Sequence, residues 1–423
     1  MPHWRRTLYT IWFTEFIAIA GFSFVTPFIP YYIQQLGVTD QSQVALWAGL
    51  TTSLLSLSLA IMAPVWGLLA DRYGRKVMVM RATFGAAVLM ALMGSVVSVQ
   101  QLVMLRFLQG VFTGTVAAAT ALVAGVVPKQ HSGAALGSLQ MAIFLGSTLG
   151  PLLGGLAGDS LGYRWSFRAG GGLLFLSGVL VLFSVREDFH PAEDVARSRR
   201  PDWRQAAQFL FVSGGALAAV LAARILLRAG TQVLTPMLPL FVQSLLPVEA
   251  HVATITGIVS GANAVGAAIG SPVIGRWGDR FGHRRLLIGS GLAAMLSYLP
   301  QAFVPNSAWL VLCQFLTGLA VGGTLSTLTA LLVQFSPKGR EGMVIGLDSS
   351  ATAIAGGVGP MMGASVAAGM GLQAPFILSA GVMGLGTVVV VRWVQDGLRQ
   401  GALQGNQAHM DEASVECAKG EGR

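Results

Sequence analysis

Apolar residues run along this chain in twelve long stretches separated by short polar breaks. The stretches lie near 8–36, 44–70, 77–98, 100–127, 133–157, 164–185, 209–245, 252–277, 285–304, 307–334, 342–369 and 373–394. Each is long enough for a helix to cross hydrocarbon, which takes about 20 mostly apolar residues. Gly and Pro recur inside them, as membrane helices tolerate when neighbours satisfy the freed backbone groups. Most connections are very short, so successive helices are antiparallel neighbours. The first stretch follows Arg5 and Arg6 and contains Glu15, but it exceeds a signal-peptide core and lacks a small-residue cleavage site. It reads as an uncleaved first span. The one sizeable internal break, Arg186 to Arg204, holds five Arg, five acids and two Pro. The chain therefore divides into a six-helix half (1–185), a cytoplasmic linker (186–208), a second six-helix half (209–395) and a polar cytoplasmic tail (396–423).

Composition supports lipid as the main solvent. Charged residues make up 11% of the 423 positions and hydrophobic ones 53%, against about 25% charged in an average globular protein. The 54 glycines have no three-residue period, which excludes collagen, and the hydrophobicity excludes disorder. The fold class is an all-α polytopic membrane protein. The net charge of +9 would suit nucleic acid, but its distribution gives another reading. With the N-terminus inside, only Arg164 and Arg168 fall in outward loops. Arg106, Arg224 and Arg228 lie within spans, and the other 22 of the 27 basic residues sit on or near the cytoplasmic side. Both termini are therefore expected in the cytoplasm, and no nucleic-acid partner is implied. Cys313 and Cys417 form no disulfide framework, and no Cys/His cluster has metal-ligand spacing, so no metal site is expected.

The two halves repeat each other. Pro64, Gly67, Asp71, Arg72, Gly74, Arg75 and Lys76 recur 208 residues later as Pro272, Gly275, Asp279, Arg280, Gly282, His283 and Arg284. Arg106 and Gly110 recur as Gln314 and Gly318 at the same offset. Gly150, Pro151 and Gly154 recur as Gly359, Pro360 and Gly363, and Pro27 and Pro30 as Pro236 and Pro239, both 209 later. Tandem halves place a substrate site near the membrane midplane between them, reached by rocking one half on the other.

This pattern resembles the major facilitator superfamily over essentially the whole chain. Gly67 to Lys76 is similar to that superfamily's loop 2–3 signature, Arg106 with Gln109 and Gly110 to its span-4 motif, and Gly146, Gly150, Pro151, Gly154 and Gly155 to the span-5 motif of its antiporters. The nearest resemblance is to the twelve-span drug:proton antiporters of bacteria. Gln314 departs from relatives that repeat the Arg, and a charged pair on span 7 is a second departure. The resemblance implies the major facilitator fold, with twelve helices in two bundles around a central cavity. It also implies that Asp71 and Asp279 belong to latches that form in the outward-facing state, with Gly67, Arg72, Gly74, Arg75, Lys76 and Arg280 around them. It gives Arg106 a part in coupling proton movement to conformation.

Two carboxylates sit inside the predicted spans, Glu15 and Asp348, each roughly 10 Å from its predicted cytoplasmic end at 1.5 Å per residue. A carboxyl in a low-dielectric site favours its neutral form, so it can take up and release a proton as its surroundings change. At that depth, snorkelling to the interface is the competing reading. Arg224 is the repeat mate of Glu15, and Arg228 follows one turn later. Glu15, Phe22 and Thr26 share one face of span 1, and Arg224, Arg228, Thr231 and Thr235 share one face of span 7. Glu15 is thus expected to pair with Arg224 or Arg228 when the inner side is closed. The proton-coupling candidates are Glu15, Asp348, Arg106, Arg224 and Arg228. Phe22, Thr26, Phe112, Phe144, Thr231, Thr235 and Phe315 are candidates to line the substrate cavity. Few acids and several buried Arg lean toward neutral or anionic amphiphiles.

The function expected is export of small amphipathic compounds in exchange for protons. A nutrient symporter or facilitator for a sugar or organic acid is the alternative in the same fold, and a non-transporting receptor or membrane-embedded enzyme is a third class. No nucleophile–base pair or nucleotide-binding motif supports an enzyme. No cofactor is expected beyond the proton gradient. The partners are substrate, protons and the lipid bilayer, the chain acts as a monomer, and the membrane is the bacterial inner membrane.

Overall fold

A computed structural model of the chain describes residues 3–128, 131–185, 216–247, 250–334 and 341–394, and every regular element among them is helical. Twelve helical spans have the length and apolarity to cross a membrane. They are Trp4–Gln35, Gln41–Ala70, Arg75–Met93, Val99–Val126, Gly133–Leu161 and Tyr163–Ser184 in the first half. Leu217–Ser244, Val252–Phe281, His283–Phe303, Ser307–Leu332, Gly346–Met370 and Ala374–Trp393 form the second. They are numbered spans 1 to 12. The predicted linker (186–208), residues 209–215 of the seventh stretch and the tail (396–423) lie outside the described residues.

One boundary correction that matters for the site is at span 1. Its helix begins at His3, because Trp4 and Leu8 pack as apolar residues on either side of the two arginines. Glu15 therefore lies twelve residues from the helix start, about 18 Å, rather than 10 Å.

Local sequence explains the ends and the breaks. Asp40 caps span 2 by accepting from Gln43 N at 2.9 Å, and Ser98 caps span 4 through Gln101 N at 3.4 Å. Spans 2 and 3, and spans 8 and 9, are joined by one glycine each. Gly74 and Gly282 have φ of 93° and 90°, a left-handed region that side chains with a Cβ rarely adopt. Spans 1 and 7 break at matching places. Span 1 passes from His3–Phe24 through a 3-10 turn, Thr26–Phe28, to Ile29–Gln35, and span 7 from Ala216–Val233 to Leu238–Ser244. The repeated prolines, Pro27 and Pro30, Pro236 and Pro239, remove backbone donors there. Span 4 alone of its pair is split, into Val99–Phe112 and Thr115–Val126, with Gly114 at φ 129° between. Its mate runs unbroken from Ser307 to Gln334.

Spans 2, 5, 8 and 11 each carry one internal proline, at Pro64, Pro151, Pro272 and Pro360, and they form the two seams between the halves. Span 5 packs on span 8, with Gly257 against the Pro151 backbone and Gly155 against Ala253. Span 2 packs on span 11, with Gly49 against Pro360 and Ala364 and Gly356 against Ser56. These contacts run from mid-span to the end away from residue 3, called the far end below. Toward the end that carries the start of span 1, the four spans part. A Cβ at Gly67, Gly133, Gly137 or Gly346 would meet nothing within 4 Å. The two halves are thus closed at the far end and open at the near end.

Candidate functional site

In the first half, burial of span 1 against spans 4, 5 and 6 seals Glu15 completely, at 0% exposure. Neither carboxyl oxygen has a hydrogen-bond partner. The Thr115 hydroxyl, first residue after the break in span 4, lies beside the carboxyl without closing a bond. The depth removes the snorkelling reading. Arg106 is also buried, at 6% exposure. Its Nη1 donates to Gln109 Oε1 at 3.1 Å, while Nε and Nη2 have no partner. No ion pair joins Arg106 to Glu15 among the described residues.

The second half treats its charges differently. Arg224 and Asp348 form a two-point ion pair between spans 7 and 11, Nε to Oδ1 at 2.8 Å and Nη2 to Oδ2 at 3.1 Å. In this conformation Arg224 is held by Asp348 rather than by Glu15. Arg228 lies beside Arg224 and Tyr298. Gln314, where the first half has Arg106, closes a neutral network instead. Its Nε2 donates to Gln301 Oε1 at 3.0 Å, Asn263 Nδ2 donates to its Oε1 at 2.8 Å, and Gln301 Nε2 donates to Thr317 Oγ1 at 2.7 Å. A buried amide can be fully satisfied in this way and an unpaired guanidinium cannot, so the substitution turns a charged position into a packed one.

The loop 2–3 cations and those of its repeat reach partners in their own halves. The Asp71 side chain lies outside the described residues. Asp279, 75% exposed, reaches His283 in its own half at 3.4 Å. The cations act as tethers within each half. Arg75 Nη1 donates to Ala121 O at 2.5 Å and Lys76 Nζ to Leu182 O at 2.9 Å. Arg284 Nη2, the mate of Lys76, donates to Val391 O at 2.6 Å. Cations on the last carbonyls of spans 6 and 12 complement the helix dipoles. Arg72 lies over its neighbour Tyr73, and Arg280 is exposed.

The span-5 glycines form a face against span 1. A Cβ at Gly146 would stand 2.7 Å from Phe16 O, one at Gly150 2.6 Å from Ala20 O, and one at Gly154 would collide with Phe24 O. The four-residue spacing of the glycines matches that of the carbonyls, so the two backbones run in contact. Gly363, the mate of Gly154, meets Val233 O on span 7 in the same way. Gly154→Ala is therefore expected to cost about 1–3 kcal/mol through overpacking against backbone. It should lower the thermal unfolding temperature in detergent, whereas Gly137→Ala, facing open space, should leave it unchanged.

Of the cavity candidates, Phe22, Thr26, Phe144, Thr231, Thr235 and Phe315 are half-buried, and Thr231 Oγ1 bonds back to Arg228 O at 2.7 Å. Phe112 is turned instead toward spans 2 and 3. It covers Gly85 and lies near Trp66, with ring centroids 6.5 Å apart. That corner holds a charge the apolar pattern does not reveal. Arg81, six residues inside the helix of span 3, stacks on Trp66 at 3.4 Å from the ring centroid. Its Nε and Nη1 are buried without partners. It belongs with the intramembrane cations rather than with the near-end anchors.

Asp159 is a second correction. It sits in the last turn of span 5 rather than in a loop, and its carboxylate accepts from Ala253 N and Thr254 N of span 8. Tyr31, Gln34 and Gln243 also join the halves at the far end. The two glutamines stand one repeat apart, which was the signal available in the sequence.

Comparison with known proteins agrees with this architecture. The family model described as Major Facilitator Superfamily matches residues 11–250 and 220–414. Multidrug resistance protein MdtG of Salmonella arizonae is 36% identical over 390 residues, covering 90% of this chain and 93% of the relative. The Salmonella typhimurium protein of the same name gives the same identity and coverage. Among solved structures, nucleoside transporter NupG superposes with a TM-score of 0.72 at 13% identity, covering 93% of this chain and 100% of that one. A bacterial homolog of the human lysosomal transporter Spinster, inward-facing and unoccupied, superposes with a TM-score of 0.69 at 17% identity, covering 92% and 95%. At such identities these two show the fold alone.

Proposed function

The chain belongs to the major facilitator superfamily, and from that premise we propose that it exports small amphipathic compounds in exchange for protons by alternating access. The reading places it in a bacterial inner membrane as a monomer, with both termini in the cytoplasm, so that the open near end faces the cytoplasm. The relatives named as multidrug resistance proteins support the substrate class, and Arg228 on the span-7 arm favours neutral or anionic compounds.

The observation that carries the proton coupling is Glu15, fully buried, with no ion pair among the described residues and the Thr115 hydroxyl beside its carboxyl. An unpaired charge sealed there costs far more than a neutral carboxyl, so the open state favours its protonated form. Spans 1 and 7 meet at the far end through Tyr31 and Pro239 and diverge from there. Glu15 and Arg224 lie on the diverging arms, sixteen and fifteen residues before those contacts. Closing the near end brings the arms together. Before that end seals, substrate binding displaces the Glu15 proton to the cytoplasm, and in the closed state the carboxylate takes Arg224 from Asp348. A proton arriving from outside reverses the exchange and reopens the near end. Arg224 alternates between two carboxylates, Asp348 in the open state and Glu15 in the closed one.

Counterflow of a panel of amphipathic drugs into proteoliposomes, with and without an imposed pH gradient, tests the reading. Uphill movement of drug opposite to the proton flow is expected, and movement with the protons or no response to the gradient overturns it. A reporter fused after Arg399 should be cytoplasmic, as the near-end bias of basic residues requires.

A further inference from the structure

At the far end, three sets of contacts among the described residues join spans 1 and 5 of the first half to spans 7 and 8 of the second. Tyr31 Oη donates to Pro239 O at 2.6 Å and lies 2.8 Å from Thr256 Oγ1. Gln34 and Gln243 exchange amide hydrogen bonds of 3.0 and 3.1 Å. The third contact carries charge. Asp159 Oδ1 accepts from Ala253 N at 3.2 Å, and its Oδ2 from Thr254 N at 2.7 Å.

Ala253 and Thr254 are the second and third residues of the span-8 helix, which begins at Val252. First-turn amides have no partner within their own helix. The residue in the capping position, His251, makes no side-chain cap. A carboxylate from the opposite half therefore does the work of an N-cap, with its negative charge at the positive end of the span-8 dipole. The approach is built into the seam, since a side chain at Gly155 would collide with the Ala253 backbone and one at Gly158 would press on Ala253 and Phe28.

The other seam lacks this device. Span 2 is capped from its own half by Asp40. Its far-end bond to span 11 is neutral, Ser42 Oγ to Ala368 O at 3.2 Å. Position 368, one repeat after Asp159, is alanine. At the opposite end of span 8, Asp279 is paired within its own half. The charged inter-half clasp seen on span 8 is at the closed end.

The geometry points to Asp159 as a conformational latch, capping span 8 in trans to hold the far end shut and releasing it when that end opens. The cap is intact only while spans 5 and 8 touch. On opening, the carboxylate and the first-turn amides pass to water separately, so the contact favours the state seen here by what a charge-assisted cap contributes. That contribution corresponds to roughly five- to tenfold in population.

The test measures far-end separation in the full-length protein reconstituted in lipid, by pulsed electron–electron resonance between spin labels at Gln100→Cys and Ala308→Cys. Both positions are exposed at the far ends of spans 4 and 10, and Cys313→Ser and Cys417→Ser clear the background. Asp159→Ala, which removes both acceptors, should raise the long-distance fraction about five- to tenfold. Thr254→Pro removes one donor while leaving Asp159 charged, and should shift the distribution in the same direction. Asp40→Asn removes a far-end carboxylate that caps only its own half, and should match the wild type. A wild-type distribution for Asp159→Ala overturns the latch, as does an equal shift for Asp40→Asn, and Asp159→Ala decides alone if Thr254→Pro does not insert. The readout is a distance, so it stands apart from which compounds the protein carries.

Discussion

Glu15→Gln is expected to abolish pH-gradient-driven export while leaving gradient-independent exchange of substrate. Glutamine has nearly the volume of a protonated glutamate and can never ionise, so it fills the same sealed site on span 1. What it cannot do is release a proton or attract Arg224 when the near end closes. Uphill transport against a tenfold drug gradient should therefore fall to the level of empty liposomes at every pH. Exchange of labelled for unlabelled drug, which needs no net proton movement, should persist. The competing carrier is Asp348, which the structure shows tied to Arg224 through two contacts. Its part in the open state is to hold Arg224, and the fraction of Asp348→Asn that folds should retain pH-driven export. Full uphill transport by Glu15→Gln, measured at several pH values, would sink the assignment and move the proton site to Asp348 or elsewhere.

Much of this architecture is legible in the sequence because lipid imposes it. A helix that crosses hydrocarbon needs a fixed length, so twelve apolar stretches give twelve spans within a few residues at most ends. The glycines at 146, 150 and 154 are legible too, because close backbone contact leaves no room for a side chain. The start of span 1 is not, since Arg5 and Arg6 interrupt the apolar pattern while the helix continues through them to His3. Arg81 illustrates a second limit. Distance from a span end suggests an anchor, but which way the side chain turns depends on Trp66 of a neighbouring span. Asp159 illustrates a third, because its partners are backbone amides, which have no sequence signature. The pairing of Arg224 belongs to the same class. Helical periodicity puts it on a face with Arg228, but does not reveal that Asp348 of span 11 is the carboxylate within its reach.

That pairing has a measurable consequence for stability. Arg224→Ala is expected to destabilise the second half, because Asp348 would be left on span 11 with its partner gone. Breaking a buried pair costs about 3–5 kcal/mol, and the side chains here are 12% and 22% exposed, which puts the expected loss near the lower figure. Asp348→Asn should be at least as harmful, since it leaves Arg224 beside Arg228 with no carboxylate between spans 7 and 11. The double variant Arg224→Gln/Asp348→Asn removes both charges and should recover most of the folded protein. Unfolding followed in detergent would show this as a coupling of about 2 kcal/mol or more between the two sites. The double variant separates structure from mechanism. With no cation at 224, Glu15 has no alternating partner unless Arg228 replaces it. The double variant should therefore be stable yet export at no more than a tenth of the wild-type rate under a pH gradient, an effect of about 1.4 kcal/mol or more on the limiting step. Additive losses in stability would show that the pair seen between spans 7 and 11 does not hold in the membrane. A stable double variant with wild-type export would remove Arg224 from the transport cycle.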